Sequence, residues 1–296
     1  MTRNEILDKL NPSGLASKED MKLLMHQFKN GSKQPFFTYA VGEYVGISSF
    51  HKVSKDYVYI ELDTKGSWII SKKTLTKLCE LRHHTDDHIF SDIYHQQAKT
   101  SFVIMHHEDI SLLPLLSKLD ELSHVQDQVL VAMDGFSASG KTTLGEKLKK
   151  IYDANLVHTD DYFKKITIDP KDPLSIHGAN IDFDKINQEI VTPFMNKMGY
   201  HYRPFDFKQH THMDQVSINY QPMLIIEGAY SMHPKLLANY DYKVFVQVPR
   251  FKAYLRIYKR NGFKRLLKFI KTWIPKEIAY VKAMEIKNQA DLILKR

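Results

Sequence analysis

Gly135, Gly140, Lys141 and Thr142 fall in the order G-x-x-x-x-G-K-T within "VLVAMDGFSASGKTTLGEKL", residues 129 to 148. An apolar block precedes this turn and an amphipathic helical pattern follows it. Glycines permit a tight turn whose successive backbone N–H groups face one point, and the helix N-terminus adds partial positive charge there. Such a cradle suits a nucleotide's phosphate oxygens, wrapped by Gly135, Phe136, Ser137, Ala138, Ser139, Gly140, Lys141, Thr142 and Thr143. Lys141 is expected to reach the β- and γ-phosphates, and Thr142 to ligate Mg²⁺. A turn that needs only flexibility would explain the glycines but not Lys-Thr at the start of a helix.

Acidic residues end the neighbouring apolar runs. "HTDDYF" places Asp160 and Asp161 after the second run, "LIIEG" ends the third with Glu227, and Asp134 ends the first. In open parallel sheets ligands collect outside the carboxyl ends of the strands. There a carboxylate can hold the water shell of a metal or accept the proton of an attacking hydroxyl. Helix capping explains any one of these acids about as well, but their convergence on the phosphate loop favours chemistry. Asp160 is therefore the expected base and a metal-site acid, and Glu227 the expected metal-shell acid. Asp161 and Asp134 are second choices.

The elements that must position these residues alternate between strand and helix from residue 129 onward. "VLVAMD", "ANLVHT", "MLIIE", "YKVFVQV" and "DLIL" read as strands, and Leu144, Leu148 and Ile151 share one helical face between the first two. The expectation is an α/β fold: a parallel sheet with helices on both faces, over 126–296. Residues 1–125 read as a smaller α+β region of unassigned role, with the polar "DELSHVQDQ" at the boundary. In that region Ser17 and Asp20 have capping-box spacing, and Met21, Leu24, Met25 and Phe28 are expected on one helical face. Alternating runs around "FFTYAVGEYVGI" and "DYVYIELD", the helical "SKKTLTKLCELRHH" and the strand-like "SFVIM" complete it.

The 296 residues are 43% hydrophobic, enough for two cores, and carry one cysteine, Cys79, expected to be a buried inert thiol. No apolar run approaches the roughly 18 residues of a membrane span, and "MTRNEILDKLNPSG" has no signal-peptide core, so a cytoplasmic protein is expected. The net charge of +8 points to anionic partners, and residues 250 to 276 contain no acidic residue at all.

From about residue 129 to 296 the chain resembles the uridine kinase-like group of P-loop kinases, and more distantly phosphoribulokinase and bacterial pantothenate kinase. "DGFSASGKTTL", "TDDYF", "NIDFDKINQEIVTPF", "YRPFDF", "LIIEGAY", "RIYKR" and "ADLIL" carry the likeness in order. The resemblance implies ATP- and Mg²⁺-dependent phosphorylation of a hydroxyl on a small molecule, with Asp160 as base. It also implies a lid whose arginines, Arg256 and Arg260 with Arg265 as a further candidate, close on the phosphates. The sequence departs from the pattern at "PFDFKQHTHMD", where Phe205 precedes Asp206 and histidines, among them His210 and His212, stand near the place of an arginine. A nucleoside is the first acceptor to consider, with pantothenate-like or sugar compounds as alternatives, and Asp161, Tyr162, Asp206 and Tyr230 are the residues the resemblance offers for holding it.

A nucleotide-binding regulatory module with little turnover would also use the phosphate loop, but need not keep Asp160, Arg256 and Arg260. "FKRLLKFIKTWI" has the composition of a helix lying on anionic membrane, with Leu266, Leu267, Phe269, Ile270 and Trp273 near one side. A lid helix with its apolar side on the core is the simpler expectation, so no stable membrane association is expected. Nor is nucleic acid, for Tyr254 and Tyr258 suit a core-facing helix equally well. His84, Asp87 and His88 have helical metal-ligand spacing without the glutamate of a zinc hydrolase, and are expected on a polar face. His106 has no partner by spacing. Homo-oligomerisation is left open.

Overall fold

The computed structural model describes the chain except residues 12–13, 33, 39–41, 82–89, 165–175 and 207–208. His84, Asp87 and His88 thus lie outside the described residues. The chain divides into two compact units, Met1–Val125 and Gln126–Arg296.

In the first unit α1 (Arg3–Leu10) and α2 (Lys18–Asn30) precede β1 (Tyr44–Lys52), β2 (Tyr57–Asp63) and β3 (Trp68–Ser71). There follow α3 (Lys72–Glu80), α4 (Asp92–Gln97), β4 (Ser101–His106), α5 (His107–Ile110) and α6 (Leu113–Val125). The strands form an antiparallel sheet in the order β3-β1-β2-β4. Ser17 and Asp20 make the expected capping box on α2. The Asp20 carboxylate also accepts from the backbone N–H of Ser91 at 2.7 Å and from its hydroxyl at 2.8 Å, and Ser91 is the N-cap of α4. One buried acid therefore ties two helix starts together, 71 residues apart. The core face of α2 differs from expectation: Leu24 and Phe28 are buried and Met25 is 41% exposed. Phe36 forms only an isolated bridge to Phe102, so the first strand starts at Tyr44 rather than at the aromatic pair. Cys79 is buried on α3, and the His106 ring caps α5 by accepting from the Glu108 N–H.

The second unit is built on β5 (Val129–Asp134), β6 (Asn155–His158), β11 (Met223–Glu227), β12 (Tyr242–Gln247) and β13 (Leu292–Lys295). Between β6 and β11 lie α8 (Phe183–Ile186), α9 (Thr192–Met195) and the short strands β7 (Tyr200–Tyr202), β8 (Phe205–Asp206), β9 (Thr211–His212) and β10 (Val216–Ile218). α7 (Lys141–Tyr152) follows β5, α10 (Pro234–Leu237) follows β11, and α11 (Arg250–Lys268), α12 (Ile274–Ala283) and α13 (Ile286–Gln289) join β12 to β13.

The sheet order is β13-β12-β5-β11-β6, and every pairing is parallel. Continuous burial of β5 and β11 explains why they read as apolar runs without alternation. Leu144, Leu148 and Ile151 of α7 are all buried, so the helix returns the chain across the sheet. The fold is thus an α/β P-loop architecture, with a separate antiparallel sheet in the first unit. α11 is bent where Gly262 takes φ 76° and ψ 174°, a conformation that costs glycine little.

Candidate functional site

The loop from Gly135 to Gly140 leaves β5 at the carboxyl edge of the sheet, beside β11 on one side and β12 on the other. A Cβ at Gly135 would stand 2.2 Å from the Val246 carbonyl oxygen, so only glycine lets the loop pass β12. Gly135, Ala138 and Gly140 have φ of 146°, 60° and 95°, and alternation of this kind turns successive N–H groups toward one concavity. The loop then runs directly into α7, whose first residue is Lys141. Ser139 is buried, and its hydroxyl has no hydrogen-bond partner among the described residues.

Among the described residues three cations approach carbonyl oxygens of this loop. Lys141 Nζ donates to the Gly135 and Phe136 carbonyl oxygens at 2.8 and 3.2 Å. Arg256 Nη1 donates to the carbonyl oxygens of Ala138 and Ser139, each at 3.1 Å. Arg296 Nη1 lies 3.5 Å from the Gly140 carbonyl oxygen. β13 delivers it there: Lys295 pairs with Gln247, and the next residue is past the strand's carboxyl end. Sequence reasoning missed Arg296, because only the pairing of β13 on β12 brings it to the loop.

A second cluster faces the start of α7. Thr142 Oγ1 donates to Glu227 Oε1 at 2.9 Å, and His158 Nδ1 is 2.6 Å from the same oxygen. β6 and β11 run in register, with Glu227 opposite His158, which explains the contact and could not be read from either run alone. Gly228 permits the close approach behind it: a Cβ there would lie 1.9 Å from Thr159 Oγ1. Burial acts to raise the Glu227 pKa, but the His158 hydrogen bond and the Lys141 charge outweigh it and leave it lowered. The bond to Glu227 raises that of His158.

Asp160 follows in the tight helical turn Thr159–Tyr162. Surrounding protein and then the Glu227 charge raise its pKa, while Lys141, His158 and Arg260 oppose them. Water still reaches the side chain, which limits the rise. Asp160, Glu227, Lys141 and Arg260 therefore share one electrostatic neighbourhood. Asp161, its pKa also raised by burial, accepts from the Tyr202 hydroxyl at 3.3 Å.

Other expected site residues stand elsewhere. Tyr162 is 2% exposed and stacks on Tyr202, so the turn that presents Asp160 sends its neighbour into the core. Tyr230 is 5% exposed in a left-handed conformation, its ring 4.7 Å from that of Tyr280. Asp206 lies in the β8–β9 hairpin, where it accepts from the Gln209 N–H at 3.3 Å. His212 contacts the Arg203 carbonyl in the same hairpin. Asp134 is buried and accepts from the N–H groups of Gly135 and Met232 and from the Tyr280 hydroxyl, which makes it a structural acid. Ser137 gives both its N–H, at 2.9 Å, and its hydroxyl to buried Glu277 of α12. Thr143 is exposed on the first turn of α7.

Among the described residues no group of three or more His, Cys, Asp and Glu side chains could hold a metal ion. Thr142 and Glu227 meet through oxygen atoms, with Asp160 in the turn after β6, and oxygen donors are the kind that would suit Mg²⁺ keeping most of its waters.

No family model matches the chain. Among solved structures the chain is similar to one described as a possible uridine kinase from Bacillus stearothermophilus, with 18% identity and a TM-score of 0.43, over 61% of this chain and 99% of that one. A structure put forward as a fructose transport system kinase from Silicibacter matches at 20% identity and TM-score 0.37, over 56% of this chain and 89% of that one. An uncharacterized protein from Eubacterium ventriosum matches at 15% identity and TM-score 0.35, over 57% and 88%.

Proposed function

We propose that the second unit is an ATP-dependent kinase, uridine kinase-like, that phosphorylates a hydroxyl of a small metabolite. The observation that carries this reading is Glu227, held by Thr142 and His158 at the start of α7, with Asp160 in the turn that follows β6, beside a loop with three residues at positive φ. A regulatory nucleotide module needs the loop, but need not keep Asp160, Arg256 and Arg260.

The loop N–H groups and Lys141 hold the triphosphate, and Lys141 exchanges its loop carbonyl oxygens for phosphate oxygens. Thr142, Glu227 and Asp160 would hold Mg²⁺, which supplies charge neutralisation on the β- and γ-phosphate oxygens. Asp160 orients the acceptor hydroxyl and takes its proton as the oxygen attacks. Arg256 and Arg260, one helical turn apart on α11, place guanidinium groups against the charge that spreads over the transferring phosphoryl group. Most of the rate enhancement is positioning and charge.

A nucleoside is the first acceptor proposed, although Asp206, capping its own hairpin, is not offered as the group that grips it. The test is transfer of the γ-phosphoryl group of labelled ATP to a panel of nucleosides, sugars and pantothenate, with the product identified by mass. A phosphorylated nucleoside supports the full reading. A phosphorylated non-nucleoside keeps the kinase and discards the acceptor, and no product with any of them counts against the kinase.

A further inference from the structure

The basic segment puts only part of its apolar surface on the core. On α11 the buried residues are Ala253 and Ile257, while Phe251, Leu255 and Tyr258 are 67%, 50% and 50% exposed. At about 100° per residue these three project within roughly 60° of one another, and about 150° away from Ala253 and Ile257. Lys252 and Lys259 flank them, also exposed. The stripe points away from Arg256, whose guanidinium lies on the phosphate loop, so drawing that arginine closer to the phosphates would not cover it.

Past the bend at Gly262 the pattern repeats. Phe263, Leu267 and Ile270 keep the i, i+4, i+7 spacing and are 62%, 38% and 36% exposed. Lys264, Lys268 and Lys271 alongside are exposed as well. Leu266, Phe269 and Trp273 are half-buried and Ile274 is buried, so the side expected on the core is only partly there.

We infer that this face of α11 and the turn after it docks on an anionic phospholipid surface, lying in the interface without crossing it. Two observations choose the occupant. Residues 250–276 hold ten basic residues and no acidic one, which requires negative charge opposite. The exposed phenylalanines and aliphatic side chains require a hydrocarbon layer directly behind that charge, and a bilayer interface has both. A second copy of this face would bring like charges together. Nucleic acid would match the lysines but leave Leu255, Leu267 and Ile270 unburied. Among the described residues no helix is long and apolar enough to cross a membrane, a requirement that surface binding does not share. The inference is independent of the phosphoryl-transfer reading, since none of the stripe residues touches the phosphate loop. It replaces the expectation of no membrane association, which assumed a core-packed helix.

The test is co-sedimentation of the full chain with sucrose-loaded vesicles of phosphatidylcholine alone and of phosphatidylcholine with 30 mol% phosphatidylserine, in low and high salt. The expected result is binding to the phosphatidylserine vesicles only, at least tenfold weaker in Phe251→Ser/Phe263→Ser and in Lys252→Glu/Lys259→Glu, with melting temperatures unchanged. In the unaltered protein the tryptophan emission should also shift to the blue on binding, a readout that needs no variant. Absence of binding to either vesicle overturns the inference. So does binding that the phenylalanine variant leaves intact, which would reduce the surface to bare charge and make an RNA oligonucleotide an equal ligand. A concentration-dependent dimer that both variants dissociate, without vesicle binding, would assign the face to a second copy.

Discussion

Glu277 of α12 holds Ser137 of the phosphate loop by two hydrogen bonds, across 140 residues of sequence. Burial raises the Glu277 pKa, with the Ser137 bonds and the Lys141 charge working against it. The loop is thus fixed from outside its own strand and helix. Replacing the acid with alanine leaves a half-buried N–H and a hydroxyl without their acceptor, at a cost of about 1 kcal/mol. Glu277→Ala should lower the melting temperature and weaken nucleotide affinity, and Glu277→Gln, which retains an acceptor oxygen, should recover part of both. Calorimetry and titration with ATP check this. Unchanged affinity in the alanine variant would mean that Glu277 supports α12 rather than the loop.

Ala138 is a β-carbon residue in a glycine conformation, with φ of 60°. Left-handed backbone costs an L-residue about 1–2 kcal/mol, and glycine escapes most of it. Ala138→Gly should therefore stabilise the second unit by up to about 1 kcal/mol in denaturant titration, once the greater freedom of unfolded glycine is subtracted. A destabilised variant would contradict the strain assigned to the loop.

Gly228 sets the distance between the ends of β6 and β11. The methyl of Gly228→Ala would meet Thr159 Oγ1 at 1.9 Å, and the backbone φ of 144° is unsuited to alanine. The cost should exceed about 1 kcal/mol. Because Thr159 precedes Asp160 and Gly228 follows Glu227, turnover should fall more than stability at a temperature where the variant is still folded. Gly228→Ala/Thr159→Ser keeps the hydroxyl and the clash, whereas Gly228→Ala/Thr159→Gly removes the obstructing atom and should restore part of the loss.

In the first unit Asp20 gives a pH dependence. Burial acts to raise its pKa, but the bonds from Ser91 and Ser17 prevail and hold it below its ordinary 3.8. A lowered folded pKa contributes stability that is complete above the unfolded value and lost as pH falls through the folded one. Asp20→Asn should therefore be less stable than the unaltered chain at pH 7, by about 1 kcal/mol for the weakened caps, and the difference should close below pH 3.8. A difference that stays constant through the acid range would rule out the ionised carboxylate as its source.

The sheet of the second unit was legible because buried parallel strands leave unbroken apolar runs, and the loop because its glycines and Lys-Thr stand in fixed order. Leu144, Leu148 and Ile151 revealed the returning helix by period alone. Contacts that depend on which strands neighbour one another were not legible: His158 against Glu227, Arg296 against Gly140, Glu277 against Ser137. Adjacency in sequence misled at Tyr162, where a tight turn leaves Asp160 exposed and sends the tyrosine into the core. Composition misled along α11, since a basic amphipathic pattern does not say which side meets the protein. On α2 the period alone placed Met25 with Leu24, whereas buried Gln27, which accepts from the Ser32 hydroxyl, takes part of that face.

The kinase reading rests most heavily on Asp160, whose role separates phosphoryl transfer from nucleotide binding alone. The decisive measurement is acceptor-dependent ADP release, in saturating ATP and Mg²⁺, by the unaltered chain and by Asp160→Asn. The account predicts a fall of about 10²–10⁴-fold in turnover, much larger than the loss of ATP affinity, with melting temperature preserved. Equal acceptor-dependent rates in the two proteins would contradict it.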